Sequence, residues 1–238
     1  MANSRGWKDS MTQIGMWLRR HGITRTNLRR FLAKPIASHW LMQPYLSDAQ
    51  RKLLVGTGDP IRCGMLLLAF EQLSKDQIPG SLAECGVYKG WLSRFIHNMV
   101  PDRQLFLFDT FRGFDSRDSS AHGDERFRDT SEQSVLDCIG STENIIVRKG
   151  YFPETSVGLE DEGFAFVMID FDKYEPTLAA LQFFYPRVSR GGFVFVHDYN
   201  SPESDWACSR ALNAFLADKV EESICIPDAW GSALFRKL

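Results

Sequence analysis

From residue 81 onward the chain alternates short, continuous apolar runs with stretches whose apolar positions recur every three or four residues. The runs at Ser81–Cys85, 104–108, 144–148, Phe164–Ile169 and 192–196 predict buried strands. Between them the spacing predicts helices at about 90–100, 131–139, 176–188 and 204–219. Apolar strands separated by helices describe a parallel sheet covered on both faces. Two further strand-like pieces, 223–226 and 233–235, flank Pro227-Asp228-Ala229-Trp230-Gly231 and predict a terminal hairpin. Upstream, Asp59-Pro60 marks a helix start, with a side-chain cap followed by proline in the first turn. Ile61, Met65, Leu68, Ala69 and Leu73 continue that helix to about Lys75, and Ile78-Pro79-Gly80 stops it. Residues 1–58 follow no steady period and read as two or three short helices broken by Pro35, Pro44, Gly56 and Gly58. The expected fold is α/β. It is a doubly wound, mostly parallel sheet over 59–238, with a C-terminal antiparallel hairpin and a helical N-terminal extension over 1–58.

Composition agrees with a globular chain: of 238 residues, 44% are hydrophobic and 24% charged. No window approaches the ~18 consecutive apolar residues of a membrane span, and the first residues lack the apolar core of a secretory signal. The five cysteines (Cys63, Cys85, Cys138, Cys208 and Cys225) form no C-x-x-C pair, and they read as reduced thiols of a cytoplasmic protein. Net charge is −2, which argues against nucleic acid as the main partner. Between Arg5 and Lys34, however, eight basic residues face the single acid Asp9. That segment reads as an arm packed on a partner subunit, a membrane-surface helix or a transit peptide. Gly22 and Pro35 break its apolar face, which favours the arm and, with it, a homodimer or larger assembly.

Candidate chemistry gathers where strands end, because open parallel sheets bind ligands beyond the carboxyl ends of their strands. The first run closes in Glu84-Cys85-Gly86-Val87-Tyr88-Lys89-Gly90. Gly86 would let a ligand approach the backbone, and Gly90 would let the next helix lie against the strand. Two packing glycines are an equally good reading. Glu84 would repel a phosphate and welcome an ammonium group or a hydroxyl. The second run ends at Asp109, 25 residues after Glu84, where a carboxylate can accept both hydroxyls of a ribose. Thr110 and Phe111 follow, with Phe111 suited to a purine face, and the polar stretch 112–130 reads as a lid. The fourth run ends in Asp170-Phe171-Asp172-Lys173-Tyr174 and the fifth in His197-Asp198-Tyr199. Together Asp170, His197 and Asp198 would make a cation site, and without a metal they would shift each other's titration, which suits a general base. Asp172 reads as a cap for the helix near Pro176. His197 reads equally as a ligand or as a residue behind the ligands.

These motifs, in this order and spacing, resemble the macrocin O-methyltransferase (TylF-type) family over about residues 60–230. Besides the strand ends they include Phe108-Asp109-Thr110-Phe111-Arg112-Gly113, Glu175-Pro176-Thr177 and Tyr185-Pro186-Arg187-Val188-Ser189-Arg190-Gly191-Gly192. The resemblance implies a class I methyltransferase using S-adenosylmethionine, usually with Mg²⁺, on hydroxyls of sugars in natural products. It implies that Glu84, Gly86 and Gly90 line the methionine half of the cofactor and Asp109 its ribose. Val87, Tyr88, Ser93, Thr110 and Phe111 join that cofactor set. It implies Asp170 as base and metal ligand, with further ligands at positions 197 and 198. One departure stands out, since the family typically has Asp-Asp-Tyr where this chain has His197-Asp198-Tyr199. Imidazole suits Mn²⁺, Zn²⁺ or Fe²⁺ better than Mg²⁺.

The expected activity is therefore methyl transfer to a small-molecule hydroxyl acceptor, with a divalent ion (Mg²⁺ or Mn²⁺) at Asp170, His197 and Asp198. Three rivals remain at this point. One is a metal-independent methyltransferase with His197 as base. Another is a nicotinamide-dependent oxidoreductase, disfavoured because Cys85 replaces the first glycine of G-x-G-x-x-G. The third is a cofactor-binding interaction protein that docks through its basic arm.

Overall fold

The computed structural model describes residues 47–118 and 123–238, and the basic arm between Arg5 and Lys34 lies outside them. The chain divides between Cys63 and Gly64 into two units. Described residues of the first form helix α1 (Asp48–Gly56), closed at its start by a capping box between Ser47 and Gln50. Helix α2 (Pro60–Lys75) starts as the sequence expects, with Arg62 N–H donating to the Asp59 carboxylate at 3.1 Å. Among the described residues no helix is long and apolar enough to cross a membrane.

The second unit carries a seven-stranded sheet. Its strands are β1 (Ser81–Cys85), β2 (Leu105–Asp109), β3 (Ile145–Lys149), β4 (Phe164–Ile169), β5 (Val188–Val196), β6 (Ile224–Ile226) and β7 (Ser232–Arg236). They lie in the order β3-β2-β1-β4-β5-β7-β6, with the first five parallel and β7 antiparallel to both β5 and β6. Helices α3 (Trp91–Met99), α4 (Glu132–Ile139), α5 (Tyr174–Phe184) and α6 (Ala207–Leu216) are the crossovers and covers. The doubly wound, mostly parallel sheet with its terminal hairpin is the expected fold.

Two boundaries differ from the sequence reading, each for a local reason. Helix α5 ends at Phe184, not 188, and a short turn over Tyr185–Arg187 leads into β5 four residues early. Gly191-Gly192 looked like the strand's start. Instead Gly192 sits inside it, where an added Cβ would lie 2.7 Å from the Ala165 carbonyl oxygen at a register shift. Helix α6 begins at Ala207, not 204, because Asp205 and Trp206 hold left-handed backbone at φ 54° and 52°.

Alternation sorts each strand between two helical layers. Ala83, Cys85, Phe106, Phe108, Val167 and Ile169 face one layer, with Leu181 and Phe184 of α5 and Leu212 of α6. On the other face Phe166 meets Phe70 of α2, ring centroids 5.0 Å apart. Burying each such phenylalanine contributes about 1.5–3 kcal/mol. Phe108, Phe152 and Phe184 interlock at 5.6–5.7 Å, so the core runs up to the loop beyond β3. The cysteines are free thiols, with Cys63, Cys85 and Cys208 buried and Cys225 exposed.

Candidate active site

Register places the strand ends at one level. Cys85 pairs with Phe108 and with Ile169, and Ile169 pairs with Val196. Gly86, Asp109, Asp170 and His197 therefore each stand one step beyond the same rank. Backbone bonds continue past that rank and fix them: Gly86 N–H to Phe108 at 2.8 Å, Asp170 N–H to Cys85 at 2.7 Å, and His197 N–H to Ile169 at 2.8 Å. Beyond it the chain turns through left-handed backbone at Tyr88, Phe111, Asp172 and Asp198, with φ between 50° and 61°. Non-glycine residues in that region are costly and concentrate at functional edges.

A cavity of about 170 Å³ opens along this edge. Gly86, Tyr88, Asp109, Thr110 and Asp170 line it, as do Phe114, Phe127 and Tyr151. Of the remaining expected cofactor residues, Glu84, Val87, Gly90, Ser93 and Phe111 are off its wall. Strand alternation turns Glu84 into the helical layer, 1% exposed, where its charge is felt by the Cys138 thiol on α4. Gly90 packs on α4 and not on a strand, since an added Cβ would meet Val135 Cγ1 at 2.9 Å. Ser93 lies fully buried within α3. Phe111, at φ 53°, turns inward and is 6% exposed, so Phe114 and Phe127 supply the aromatic wall expected of it.

Gly86, on the cavity wall, also does a second task. The space of its missing Cβ is filled by the backbone of Asp170, whose oxygen would lie 2.0 Å away. It lets β1 and β4 converge. Asp109 is likewise partly committed, because its carboxylate accepts from the amides of Val87 at 2.7 Å, Tyr88 at 2.9 Å and Phe111 at 2.7 Å. A carboxylate offers about four lone-pair sites, which leaves about one for a ligand hydroxyl rather than the expected pair.

At the β4–β5 end, ligand atoms of Asp170, His197 and Asp198 all lie within 4.8 Å of one another. His197 Nε2 lies 2.9 Å from the Ala229 carbonyl oxygen, and a carbonyl only accepts, so Nε2 carries the proton. Nδ1 then faces Asp170 Oδ1 at 2.9 Å and Asp198 Oδ1 at 3.2 Å. A bare lone pair between two carboxylates is repulsive, so this geometry calls for a positive charge there, either a second proton or a metal cation. With both nitrogens engaged and the ring 5% exposed, His197 has no route to a substrate proton, and its reading as the base loses its geometric support. Asp172 is not the helix cap. Lys173 occupies that position, and Asp172 is buried at φ 61° on the cavity wall. Burial and the charges of Asp198 and Asp170 push its pKa well above the usual carboxylate range.

The segment following Gly123 folds across this edge. Buried Lys173 binds Asp124 at 3.1 Å, while Arg126 pairs with Asp124 at 2.8 Å and reaches Glu203 at 3.7 Å and Asp172 at 4.0 Å. Tyr88 packs on Phe127 at 4.9 Å and donates to Asp129 at 2.9 Å. At about 170 Å³ the enclosed space is smaller than the roughly 300–1,000 Å³ of common ligand sites. Across the cavity Asp118 takes a 2.7 Å hydrogen bond from the Tyr151 hydroxyl, and burial raises its pKa. Tyr151 and Phe152 follow the tip of β3. The strand-end rule that found Asp109 would have found them had it been carried to the run at 144–148.

A family model described as macrocin-O-methyltransferase (TylF) matches residues 57–237. The chain belongs to that family. It is a family of O-methyltransferases. Among the proteins it is similar to is the 8-demethyl-8-(2,3-dimethoxy-alpha-L-rhamnosyl)-tetracenomycin-C 4'-O-methyltransferase of Streptomyces olivaceus. It is 26% identical over 156 residues, covering 58% of this chain and 60% of that protein. The mycinamicin III 3''-O-methyltransferase of Micromonospora griseorubida is 26% identical over 182 residues, covering 64% and 68%. The chain thus spans about 60% of the length of the first of these relatives. The solved structure of the O-methyltransferase NovP superposes with a TM-score of 0.64 at 23% identity, covering 89% of this chain and 99% of that one, which supports the fold.

Proposed function

We propose that the chain transfers a methyl group from S-adenosylmethionine to a hydroxyl of a sugar or another small natural-product intermediate. The charge of the cavity wall carries this reading. Asp109, Asp115, Asp118, Asp170 and Asp172 lie on it, Asp115 paired with Arg112 and Arg117, and among the described residues its lining includes no Lys, Arg or His. A pyrophosphate would be repelled there, whereas a sulfonium, an amino group and ribose hydroxyls all meet acceptors. Sheet order gives the ligand a direction. From Asp170 after β4 the wall passes Gly86 after β1 and Asp109 after β2 to Tyr151 after β3, three strand spacings or about 14 Å. A donor with its sulfonium near Asp170 has its ribose at Asp109. Its base then lies among Phe114, Tyr151 and Phe152, with Asp118 as acceptor for an exocyclic amine.

S-adenosylmethionine, when bound, supplies an electrophilic methyl group. The chain's residues bring the acceptor oxygen into line with it and take its proton. Asp170 lines the cavity and keeps its side chain 21% exposed, so its carboxylate can receive that proton. His197 Nδ1 stands 2.9 Å from that carboxylate, so a cation shared by the two would fix its position. Asp124 and Lys173 keep the segment after Gly123 across the edge and exclude water. Asp170, His197 and Asp198 suit a divalent cation, whose part would be to make the acceptor hydroxyl more acidic. The Ala229 carbonyl holds the Nε2 proton, so Nδ1 is the ring atom available to a cation.

The direct test is calorimetry with S-adenosylhomocysteine and with NAD. The first should bind at one site and the second not at all, and preference for NAD would remove the reading. With S-adenosylmethionine and a deoxyhexosyl glycoside, mass spectrometry should show product heavier by one CH₂. Metal preference is a separate prediction. The mixed oxygen and nitrogen donors should hold Mn²⁺ at least about tenfold more tightly than Mg²⁺, and His197→Asp should erase that preference. Equal binding of the two ions by the wild-type protein would show that the imidazole is not a ligand.

A further inference from the structure

If the donor occupies the half of the edge from β4 to β3, the acceptor approaches Asp170 from the other half, above β5 and β7. There the loop after β5 is braced onto the carboxylate cluster. Ser201 N–H donates to the Asp198 carbonyl at 3.1 Å, and Trp206 N–H donates to the Ser201 carbonyl at 3.1 Å. Tyr199 and Asn200 amides donate to Gly231 at 2.9 Å and Trp230 at 3.0 Å, joining this loop to the turn between β6 and β7. Arg126 of the covering segment reaches Glu203 in the same loop at 3.7 Å.

On this ledge stand two tryptophans in left-handed backbone, Trp206 at φ 52° and Trp230 at φ 67°. For a bulky side chain that conformation costs free energy, which packing in a core would ordinarily offset. Trp206 has no such return. It is 50% exposed, and among the described residues its indole makes no hydrogen bond and no ring contact. Close by, the Ser201 hydroxyl is buried without a partner among the described residues. A fold optimising only its own stability would place glycine at position 206.

We infer that Trp206, backed by the turn that carries Trp230, is a platform for the apolar C–H face of the acceptor's sugar ring. This inference rests on the proposed methyl transfer and names the acceptor class for it: a pyranoside with one face free of hydroxyls projecting toward the indole. The half-exposed indole suits a ring attached to a larger body. An indole offers a flat, rigid surface with a polar N–H edge, which suits such a ring at little entropic cost.

The probe is methyl α-L-rhamnopyranoside, followed by saturation-transfer NMR in the presence of S-adenosylhomocysteine. Wild-type protein should pass saturation to the ring C–H protons. Trp206→Gly should weaken probe binding about tenfold while raising the melting temperature by about 3 °C, because glycine relieves the backbone. Trp206→Phe should keep most of the binding. Calorimetry with S-adenosylhomocysteine on the same samples reports on the donor reading separately and should be unchanged by either variant. Unchanged probe binding in Trp206→Gly, or no probe binding by the wild type, overturns the inference. So does a dimer in sedimentation that Trp206→Gly converts to monomer, because the indole would then be covered by a second copy.

Discussion

Replacing Asp170 with asparagine should lower turnover by about 10³-fold while S-adenosylhomocysteine binds within about threefold of wild type. The asparagine has the same shape, and its amide N–H can donate to a bare His197 Nδ1, so the strand end holds its form. What disappears is the capacity to accept a proton from the acceptor hydroxyl, together with one negative charge of the cluster around Nδ1. Asp109 and the aromatic wall, where the proposed donor's nucleoside would lie, are untouched. Rapid-quench single turnover separates the chemical step from release, and calorimetry measures donor affinity independently. Loss of donor affinity with turnover retained would reverse the assignment and make Asp170 a binding residue.

Gly86→Ala should be the most damaging alanine substitution among the described glycines. Its Cβ would lie 2.0 Å from the backbone oxygen of Asp170 and 2.7 Å from the carbonyl carbon, at φ 90°. Neither atom belongs to a side chain that could swing aside. Relief requires β1 and β4 to separate at the point where their backbone bond, Asp170 N–H to Cys85 at 2.7 Å, sets the site. Overpacking and left-handed strain together should cost more than about 4 kcal/mol, a large part of a domain's stability. Gly163→Ala is the matched control, because an added Cβ there meets nothing within 4 Å, and it should stay within about 0.5 kcal/mol. Urea midpoints measure both. Equal midpoints for the two variants would show that the strands can part freely at this point.

The sheet was legible because its strands are covered on both faces and so are written as unbroken apolar runs. Asp109, Asp170, His197 and Asp198 were legible for a related reason, being polar residues at the first step beyond such runs. Backbone sign was not legible. Phe111 follows Asp109 and reads as a ligand platform, but a positive φ turns it into the core and leaves that place to Phe114 and Phe127. Asp172 precedes a helix and reads as a cap. Only the tertiary approach of Asp198 and Asp170 shows it to be a third acid of the cluster, and a buried one. Gly86 and Gly90 were read from what glycine permits, whereas what fills the permitted space is another strand in one case and another helix in the other. The Ala229 carbonyl that orients His197 belongs to a residue type with no functional signature, so sequence alone had no means of selecting it.

That carbonyl sits in the turn between the two antiparallel strands, 32 residues beyond the imidazole it steers. The orientation of an imidazole on the parallel part of the sheet is therefore set by the antiparallel hairpin docked beside β5. A substitution in that distant turn reaches the carboxylate cluster without touching it.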